Sequence, residues 1–351
     1  MNFCSDNTAG AHPAIIEALA RVNGGAVMPY GNDELTHRVE KRIAEIFEHE
    51  CSVCLVATGT AANALALATL TPPWGAVYCH PDSHVNSDEC GAPEFYTGGA
   101  KLVGVPGAHG KIMAEALGRV VEHAGAGIVH HVQPATVTIT QASEAGTIYT
   151  PAEIAAIAEV ARRHRLGLHM DGARFANALV SAGGTPAELT WRAGVDALSF
   201  GATKNGALGA EAVVFFDPAK ADNLGFRRKR AAHLWSKMRF ISAQMEAYLA
   251  GDLWLANARH ANRMAADLAQ ELAKVPGVRL EHPVEANEIF VSLPELVAQG
   301  LEADGFKFYR WPSSDRQIQM MRLVTAFDTN PVHVRGFVDS ARRHATARAA
   351  E

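Results

Sequence analysis

The sequence contains no apolar stretch long enough to cross a bilayer. A transmembrane helix needs about 20 consecutive apolar residues, whereas the most apolar segment, Ala64 to Leu70, is followed at once by Pro72 and Pro73. The first residues also lack the basic and apolar regions of a secretory signal peptide. We therefore expect a soluble, cytoplasmic protein that does not insert into a membrane.

An excess of charge of one sign is missing as well. The 351 residues include 32 lysines and arginines against 37 aspartates and glutamates, which gives a formal net charge of −5. A mildly acidic protein has no general attraction for nucleic acid or for anionic lipids. The one basic run, from Arg227 to Arg230, is predicted to be the solvated face of a helix. The composition therefore argues against a nucleic-acid partner.

Cysteine is scarce, and no histidine pattern of the H-E-x-x-H type occurs. Of the five cysteines, Cys51 and Cys54 form a C-x-x-C pair, a spacing found in redox and zinc sites. However, no second pair stands at metal-site spacing, and the flanking residues favour a strand. An intracellular location would keep these thiols reduced. We interpret them as buried structural thiols and expect no metal site.

The length of the chain allows one large domain and one smaller domain. Helical and strand patterns alternate, which predicts an α/β fold with a mostly parallel central sheet flanked by helices. From about Asp252, a long helix and shorter strands indicate a smaller α/β C-terminal domain. The predicted divisions are an N-terminal segment (1–30) that packs near the small domain, a large domain (31–252) and the small domain (253–351).

The loop Thr58-Gly59-Thr60 is the first of three polar features that follow predicted strands. In open α/β sheets, ligands collect at the carboxyl ends of parallel strands. This loop leads into a helix, so its N–H groups and the helix dipole could bind a phosphate. A plain tight turn explains the same residues equally well.

Asp171 is the second feature and directly follows the apolar strand Leu166 to Met170. A carboxylate there needs a partner, because burying an unpaired charge is costly. A salt bridge with Arg174 would provide one. The functional alternative is a protonated pyridine nitrogen, such as that of pyridoxal 5′-phosphate (PLP).

Lys204 is the third feature and lies among small residues just after the predicted strand Ala197 to Phe200. A lysine in a partly desolvated site of this kind can form a Schiff base with an aldehyde. The three features occur in the order phosphate loop, carboxylate, lysine. This order makes a PLP site the favoured interpretation, with Lys204 as the residue that holds the cofactor.

Further motifs accompany these three features along nearly the whole chain. They are Ser5-Asp6-Asn7, Tyr30-Gly31-Asn32-Asp33, Thr58-Gly59-Thr60-Ala61-Ala62-Asn63, His84 with Asp88-Glu89-Cys90-Gly91-Ala92-Pro93-Glu94-Phe95, His169-Met170-Asp171-Gly172-Ala173-Arg174-Phe175, Gly201-Ala202-Thr203-Lys204-Asn205-Gly206 and Ser236-Lys237-Met238-Arg239-Phe240. In combination they resemble the fold type I PLP enzymes, and specifically the low-specificity bacterial branch of the threonine aldolase and β-eliminating lyase family.

The resemblance implies a role for each matching residue. The implied positions are Lys204 at the Schiff base, Asp171 beside the pyridine nitrogen, His84 over the ring and near the substrate β-hydroxyl, Gly59 and Thr60 at the phosphate, and Ser5, Arg174 and Arg322 at the substrate carboxylate, with Arg174 also close to the cofactor. Arg239 and Tyr30 would come from a neighbouring subunit, because the family is usually a homotetramer whose subunits share active sites.

Two of these implied roles have structural alternatives, and one neighbouring residue, Glu89, has two interpretations. His84 could be a capping or surface residue. Arg322 lies in an apolar strand and must find a partner, which could be a structural carboxylate as well as a substrate. Glu89 either acts with His84 or only anchors its loop.

The resemblance also implies a reaction. It is the PLP-dependent retro-aldol cleavage of L-threonine or L-allo-threonine to glycine and an aldehyde, with His84 as the candidate base for the hydroxyl proton, directly or through water. Two alternatives within the same chemistry are an aldolase that prefers aryl substrates such as phenylserine, and a β-eliminating lyase. A non-catalytic PLP-fold binding protein is the alternative of a different class. The implied partners are an amino-acid substrate and further copies of this chain.

Overall fold

A computed structural model describes residues 1–311 and 317–347 of the chain. Its larger sheet contains β1 (Ser52–Val56), β2 (Gly75–Cys79), β3 (Lys101–Gly104), β4 (Gln133–Thr140), β5 (Gly167–Gly172), β6 (Ala197–Gly201) and β7 (Glu211–Phe215). They lie in the spatial order β1-β7-β6-β5-β4-β2-β3. The neighbouring pairs from β3 to β6 are parallel, whereas β7 is antiparallel to both β6 and β1. The predicted mostly parallel sheet is therefore confirmed.

Thirteen α-helices are present in the described residues. They are α1 (Pro13–Arg21), α2 (Glu34–Ile46), α3 (Gly59–Leu70), α4 (His84–Ser87), α5 (Ala92–Thr97), α6 (Ala114–Glu122), α7 (Pro151–Arg163), α8 (Phe175–Ala182), α9 (Leu224–Arg230), α10 (Arg239–Leu249), α11 (Leu253–Leu272), α12 (Glu295–Ala303) and α13 (Pro331–Ala347). The sequence predicts a helix from Pro151 to Arg163 with Thr150 as its cap, and α7 has these bounds. Its start is fixed by a capping box, in which Thr150 and Glu153 satisfy each other's backbone N–H groups.

Helices cover both faces of the larger sheet, as the residues of β2 illustrate. Every residue of β2 is buried. Val77 packs with Leu67 of α3 in a cluster on one face, whereas the next residue, Tyr78, belongs to the main core with Val137 and Ile157. Successive side chains point to opposite faces of a strand, so a strand that is buried on both faces reads as a continuous apolar run.

A second, antiparallel sheet forms the C-terminal part of the chain. Its strands are β8 (Arg279–Leu280), β9 (Glu288–Pro294), β10 (Tyr309–Trp311) and β11 (Ile318–Val324), in the order β10-β11-β9-β8. This part has its own hydrophobic cluster, which also contains Phe3, with its ring centroid 5.3 Å from that of Phe337. The exact residues at which the two domains divide stay a prediction.

The basic run differs from its prediction at one position. It lies on α9, where Arg228 is only 8% exposed and its Nη2 lies 3.3 Å from Met238 Sδ. The prediction of a solvated face is therefore wrong for Arg228, because this side of the short helix turns towards the body of the protein.

The C-x-x-C pair consists of free thiols in the structure. Cys51 and Cys54 are both partly buried. Burial raises the pKa of Cys51 to about 11 and also raises the pKa of Cys54, where the nearby Arg228 opposes the effect. A raised pKa keeps a thiol protonated and therefore weakly nucleophilic.

Among the residues that the structure covers, no helix combines the length and the apolar character that crossing a membrane requires.

Phe200 is the centre of the aromatic core behind β6. Its ring centroid lies 5.6 Å from that of Phe47, 5.9 Å from that of Phe175 and 5.7 Å from that of Trp254, and the residue is fully buried. We expect Phe200→Ala to lower the free energy of unfolding by about 3–5 kcal/mol, because it leaves a cavity that the packed rings cannot fill. Denaturant titration measures this loss.

The matched control is Phe226→Ala. This phenylalanine is 79% exposed, so its truncation should leave the free energy of unfolding nearly unchanged. Equal effects of the two substitutions would contradict the assignment of Phe200 to the core.

Candidate active site

A cavity of about 360 Å³ lies at the carboxyl end of the parallel strands. Six of the ten residues for which a site role is predicted line it: Gly59, Thr60, His84, Asp171, Arg174 and Lys204. A second cavity, of about 810 Å³, is lined by Ser5 and Arg322 and shares residues with the first. We call these the inner cavity and the outer cavity. The structure thus brings eight of the ten predicted residues to two cavities with shared walls.

The N-terminus of α3 forms one end of the inner cavity. Thr58 is the N-cap, and its hydroxyl accepts a hydrogen bond from the N–H of Ala61 at 3.2 Å. The first intrahelical bond runs from Ala62 N to Thr58 O, so the N–H groups of Gly59 and Thr60 precede it and remain available for an anion. A methyl group added at Gly59 would meet no atom within 4 Å, which leaves space for such a ligand.

Asp171 lies within β5, next to its last residue, and is 3% exposed. Its carboxylate accepts hydrogen bonds from Asn63 Nδ2 at 2.7 Å and from Ala173 N at 2.9 Å. Asn63 also donates to Glu89 Oε1 at 2.8 Å, which links α3, β5 and the loop after α4. The structural alternative, a salt bridge from Asp171 to Arg174, is wrong, because the guanidinium of Arg174 pairs with other carboxylates.

Arg174 is held by two buried carboxylates. It donates to Asp6 at 2.8 and 3.0 Å, and its Nη1 lies 3.0 Å from Glu288 Oε2. Burial alone would raise the pKa of Asp6, but the guanidinium of Arg174 and the ammonium of Lys204 outweigh it, so the pKa lies below its usual value. Neither Asp6 nor Glu288 has a predicted role, and both help to fix Arg174 in the wall of the cavities.

Arg322 extends from β11 towards the outer cavity. Its guanidinium lies over the rings of Tyr309 and Trp311, at 5.4 and 5.2 Å from their centroids, and donates to Cys4 O at 3.3 Å. Glu288 is 3.7 Å away, so the structural carboxylate that the sequence allowed as an alternative is present. Ser5 lines the same cavity, and its hydroxyl accepts the N–H of Asn7 at 3.1 Å.

Lys204 lies in a single 3-10 turn, Thr203–Asn205, directly after β6. The side chain of Asn205 fixes this turn by donating to Tyr248 Oη and to Trp254 O, both at 2.8 Å. Gly206 ends the turn at φ +112°, a conformation that other residues rarely adopt. Lys204 lines both the inner and the outer cavity.

Glu211 is a buried carboxylate beside this turn. It accepts the N–H of Ala202 at 3.2 Å. Burial raises its pKa to about 7, although hydrogen bonds with Thr203 and the charge of Lys204 oppose the shift. Glu211 is the first residue of β7, and the sequence analysis assigns no role to it.

His84 is the first residue of α4 and is partly exposed to both cavities. Its Nδ1 lies 2.9 Å from Glu89 Oε1, and this hydrogen bond raises the pKa of His84 against the opposing effect of burial. The helix cap is Ser83, so capping does not account for His84. Glu89 contacts both His84 and Asn63, which means that it orients the imidazole and also anchors its own loop.

Glu144 follows β4 and has no predicted role. It lines both cavities, and its Oε1 accepts the backbone N–H of His84 at 3.1 Å. Burial raises its pKa to about 7, and the negative charge of Glu288 adds to the shift. The same rule that selected Asp171, a carboxylate at the end of a parallel strand, could have selected Glu144 as well.

Arg239 and Tyr30 lie away from both cavities of their own chain. Arg239 donates to Gly25 O at 3.0 Å, and Tyr30 packs its ring beneath the ammonium of Lys229 at 4.8 Å. Neither is among the described residues that line the inner or the outer cavity. Their predicted contribution from a neighbouring subunit stays a prediction.

Comparison with known proteins identifies relatives along most of the chain. The family model for β-eliminating lyases matches residues 2–295. The low-specificity L-threonine aldolase of Pseudomonas sp. (strain NCIMB 10558) is 41% identical over 333 residues, which cover 95% of this chain and 94% of that protein. The protein of the same name from Pseudomonas aeruginosa is 42% identical with the same coverage.

A solved structure gives the same result for the fold. The Leishmania major threonine aldolase superposes with a TM-score of 0.92 at 29% identity, over 98% of this chain and 99% of that chain. The predicted fold type I architecture is thereby confirmed. The family model and these relatives show that the chain belongs to the β-eliminating lyase family, in which it is similar to the threonine aldolases.

Proposed function

We propose that the chain binds PLP in the inner cavity and cleaves L-threonine and L-allo-threonine to glycine and an aldehyde. One observation carries this proposal: an amine, a buried carboxylate and the free N-terminus of a helix, from Lys204, Asp171 and α3, all line one cavity of about 360 Å³. The relatives named as low-specificity L-threonine aldolases supply the substrate class.

The residues of the inner cavity fit the three polar parts of PLP. The N–H groups of Gly59 and Thr60 suit its phosphate. Asp171, which already accepts two hydrogen bonds, suits a protonated pyridine nitrogen. Lys204 suits the aldehyde. When bound, PLP withdraws electrons from the α-carbon of the amino acid, which is the chemistry that cleavage of the Cα–Cβ bond requires.

The outer cavity suits the amino-acid substrate. Arg322 offers a guanidinium between two aromatic rings, and Ser5 lies on the same wall. A carboxylate bound there would fix the substrate's orientation relative to Lys204 and turn its β-hydroxyl towards His84. Arg174 already pairs with Asp6 and Glu288. Its proposed role in binding the substrate carboxylate is therefore inferred from its position in the walls of both cavities.

We also propose that the protein is a cytoplasmic homotetramer in which Arg239 and Tyr30 complete the sites of neighbouring subunits. Exposed apolar residues near both side chains support this, since Val27 and Met28 are 53% and 64% exposed. Exposed apolar patches commonly mark protein interfaces. Sedimentation of the purified protein tests the proposal, and a stable monomer at micromolar concentration would reject it.

Product analysis separates the proposed activity from its alternatives. We expect the PLP-loaded protein to release glycine and acetaldehyde from L-threonine, without keto acid, because the Cα–Cβ bond breaks. The assay compares L-threonine, L-allo-threonine, phenylserine and serine, with the aldehyde measured by alcohol dehydrogenase and the keto acid by lactate dehydrogenase. Turnover of phenylserine alone would indicate an aryl-specific aldolase, and keto acid as the main product would indicate a β-eliminating lyase. The absence of all products from PLP-loaded protein would favour a binding role.

A further inference from the structure

Five of the residues that the structure describes line both cavities and therefore surround the place where cofactor and substrate would meet. They are Asn7, His84, Glu144, Arg174 and Lys204. Lys204, Arg174 and His84 have proposed roles, and Asn7 carries no titratable group. Glu144 is the one carboxylate in this set, which makes it the natural candidate for a proton acceptor near the substrate.

The hydrogen bonds of Glu144 leave it able to contact a ligand. Its Oε1 accepts the backbone N–H of His84, and no side-chain cation in the described residues forms an ion pair with it within 4.0 Å. The nearby guanidinium of Arg174 is shared between Asp6 and Glu288 instead. A carboxylate that is held through one oxygen can present the other oxygen to a substrate hydroxyl.

The surrounding charges adjust Glu144 for proton transfer near neutral pH. Glu288 from β9 and Asp171 from β5 oppose its ionisation, whereas Lys204 after β6 and Arg174 after β5 favour it, and burial is the largest contribution, raising the pKa to about 7. The backbone N–H of His84, on α4, donates a hydrogen bond to Glu144 Oε1. A general base is most effective when its pKa lies close to the working pH.

The pKa of His84 is raised as well, and a raised pKa favours the protonated form of an imidazole. Its Nδ1 is hydrogen-bonded to Glu89 Oε1, which stabilises the protonated ring and raises the pKa of His84. A protonated imidazole carries a proton on both ring nitrogens, so Nε2 can donate a hydrogen bond while Nδ1 stays bonded to Glu89. Both residues line the inner and the outer cavity, so the pair offers one donor, His84, and one acceptor, Glu144, to a ligand bound there.

We propose that Glu144 removes the proton of the substrate β-hydroxyl, while His84 donates a hydrogen bond to the same oxygen. This inference rests on the proposed aldolase function. The proton passes to the Glu144 carboxylate, the C–O bond becomes the carbonyl of the aldehyde, and the electron pair of the broken Cα–Cβ bond stays with Cα. A proton then returns to Cα to complete glycine, so the overall cleavage is redox-neutral and consumes no proton.

The decisive variant is Glu144→Gln, which preserves the shape of the side chain and removes its basicity. We expect kcat/KM for L-threonine to fall by about 10²–10³-fold, within the range for loss of a general base. The ascending limb of the pH profile, with its midpoint near the Glu144 pKa, should disappear. Binding of glycine, which has no β-hydroxyl, should stay within about threefold of the wild-type value, measured from the absorption change of the PLP-loaded protein.

The matched control is Glu122→Gln. Glu122 is an exposed glutamate on α6, so this substitution should change neither kcat/KM nor glycine binding.

A readout without cofactor or turnover comes from the pH dependence of stability. Because the folded-state pKa of Glu144 is raised above its value in the unfolded chain, the wild-type protein loses stability as pH rises through about 7. Glutamine does not ionise. The melting temperature of cofactor-free Glu144→Gln, relative to wild type, should therefore be higher at pH 8 than at pH 5.

Each outcome of the experiment has a defined meaning. If wild type cleaves threonine and Glu144→Gln keeps both the rate and the ascending limb, Glu144 is not the base. If wild type produces no aldehyde, the proposed function itself fails. If Glu144→Gln also loses glycine binding, the variant Glu144→Asp is measured in its place. An ascending limb of the pH profile that Glu144→Asp retains at a reduced rate supports the inference. Loss of that limb in Glu144→Asp, while glycine still binds, overturns it.

Discussion

Lys204→Ala should abolish the visible absorption band that PLP gives when it is joined to a lysine, and it should remove aldehyde production from L-threonine. Lys204 lines both the inner and the outer cavity, and alanine offers no nitrogen that could condense with an aldehyde. We expect a loss of activity on the order of 10⁴-fold or more, as is usual when the residue that forms a covalent bond is removed. Absorption spectroscopy and a coupled aldehyde assay measure the two effects.

The matched control for this experiment is Lys101→Ala. Lys101 lies exposed on the edge strand β3 and lines neither cavity. The control protein should keep the band and the activity of wild type. Full turnover by Lys204→Ala would mean that another amine holds the cofactor, and the assignment of the inner cavity would then be wrong.

Asp171→Asn should reduce kcat by about 10²–10³-fold, the size of effect that follows loss of a single electrostatic contact in an active site. Asparagine fills the same space and can still accept a hydrogen bond from Asn63 Nδ2, so the fold should persist. A neutral amide, however, cannot hold a proton on the pyridine nitrogen, and the bound cofactor would be a weaker acceptor of electrons. Steady-state kinetics together with PLP titration separates slower chemistry from weaker cofactor binding.

Asp196→Asn is the appropriate comparison. Asp196 precedes β6, and its carboxylate accepts the N–H of Leu168 at 2.8 Å and pairs with Lys220, at the opposite end of the same strands. Its replacement should reduce stability while leaving kcat close to wild type. Equal losses of kcat in the two variants would indicate a general structural effect and not a role for Asp171 beside the cofactor.

Much of the central sheet was predictable because its strands carry strong local signals. The strands β5 and β6 are short apolar runs that end in small or polar residues, and both were predicted to within two residues. Since parallel strands bring their carboxyl ends to one edge, the same signals placed Thr58, Asp171 and Lys204 together. The sequence predicts Asn32 or Asp33 as the N-cap of α2 and Thr150 as that of α7, and the structure has Asp33 and Thr150, because capping depends on a few neighbouring residues.

The partners of Arg174 were not predictable in the same way. Asp6 is separated from Arg174 by 168 positions along the chain, and Glu288 lies in the second sheet. Sequence patterns indicate which residues will be buried, but they do not indicate which distant charges will meet. The pairing of Asp171 with Arg174 was therefore a reasonable local alternative, and it proved wrong because stronger partners come from remote segments.

Glu144 was missed for a different reason. It lies three positions beyond Gln141, in a polar stretch after β4 that offers no helical or strand period. The strand itself was predicted, so the rule about strand ends applied to this carboxylate as well as to Asp171. Arg228 illustrates the converse limit, because four consecutive basic residues predict solvent exposure while a short helix can still turn one of them inward.

The position of the N-terminal segment has a consequence for how the protein is made. Phe3 packs with Phe337, and Asp6 accepts a hydrogen bond from Asn287, which is 281 positions later in the chain. On the ribosome, these first residues emerge long before their partners are synthesised. The bidentate contact between Asp6 and Arg174 can form earlier, but the wall of the outer cavity that contains Ser5 and Arg322 must wait for the second sheet. Translation would therefore complete the substrate side of the protein last, and nascent chains that stop before β11 should lack it.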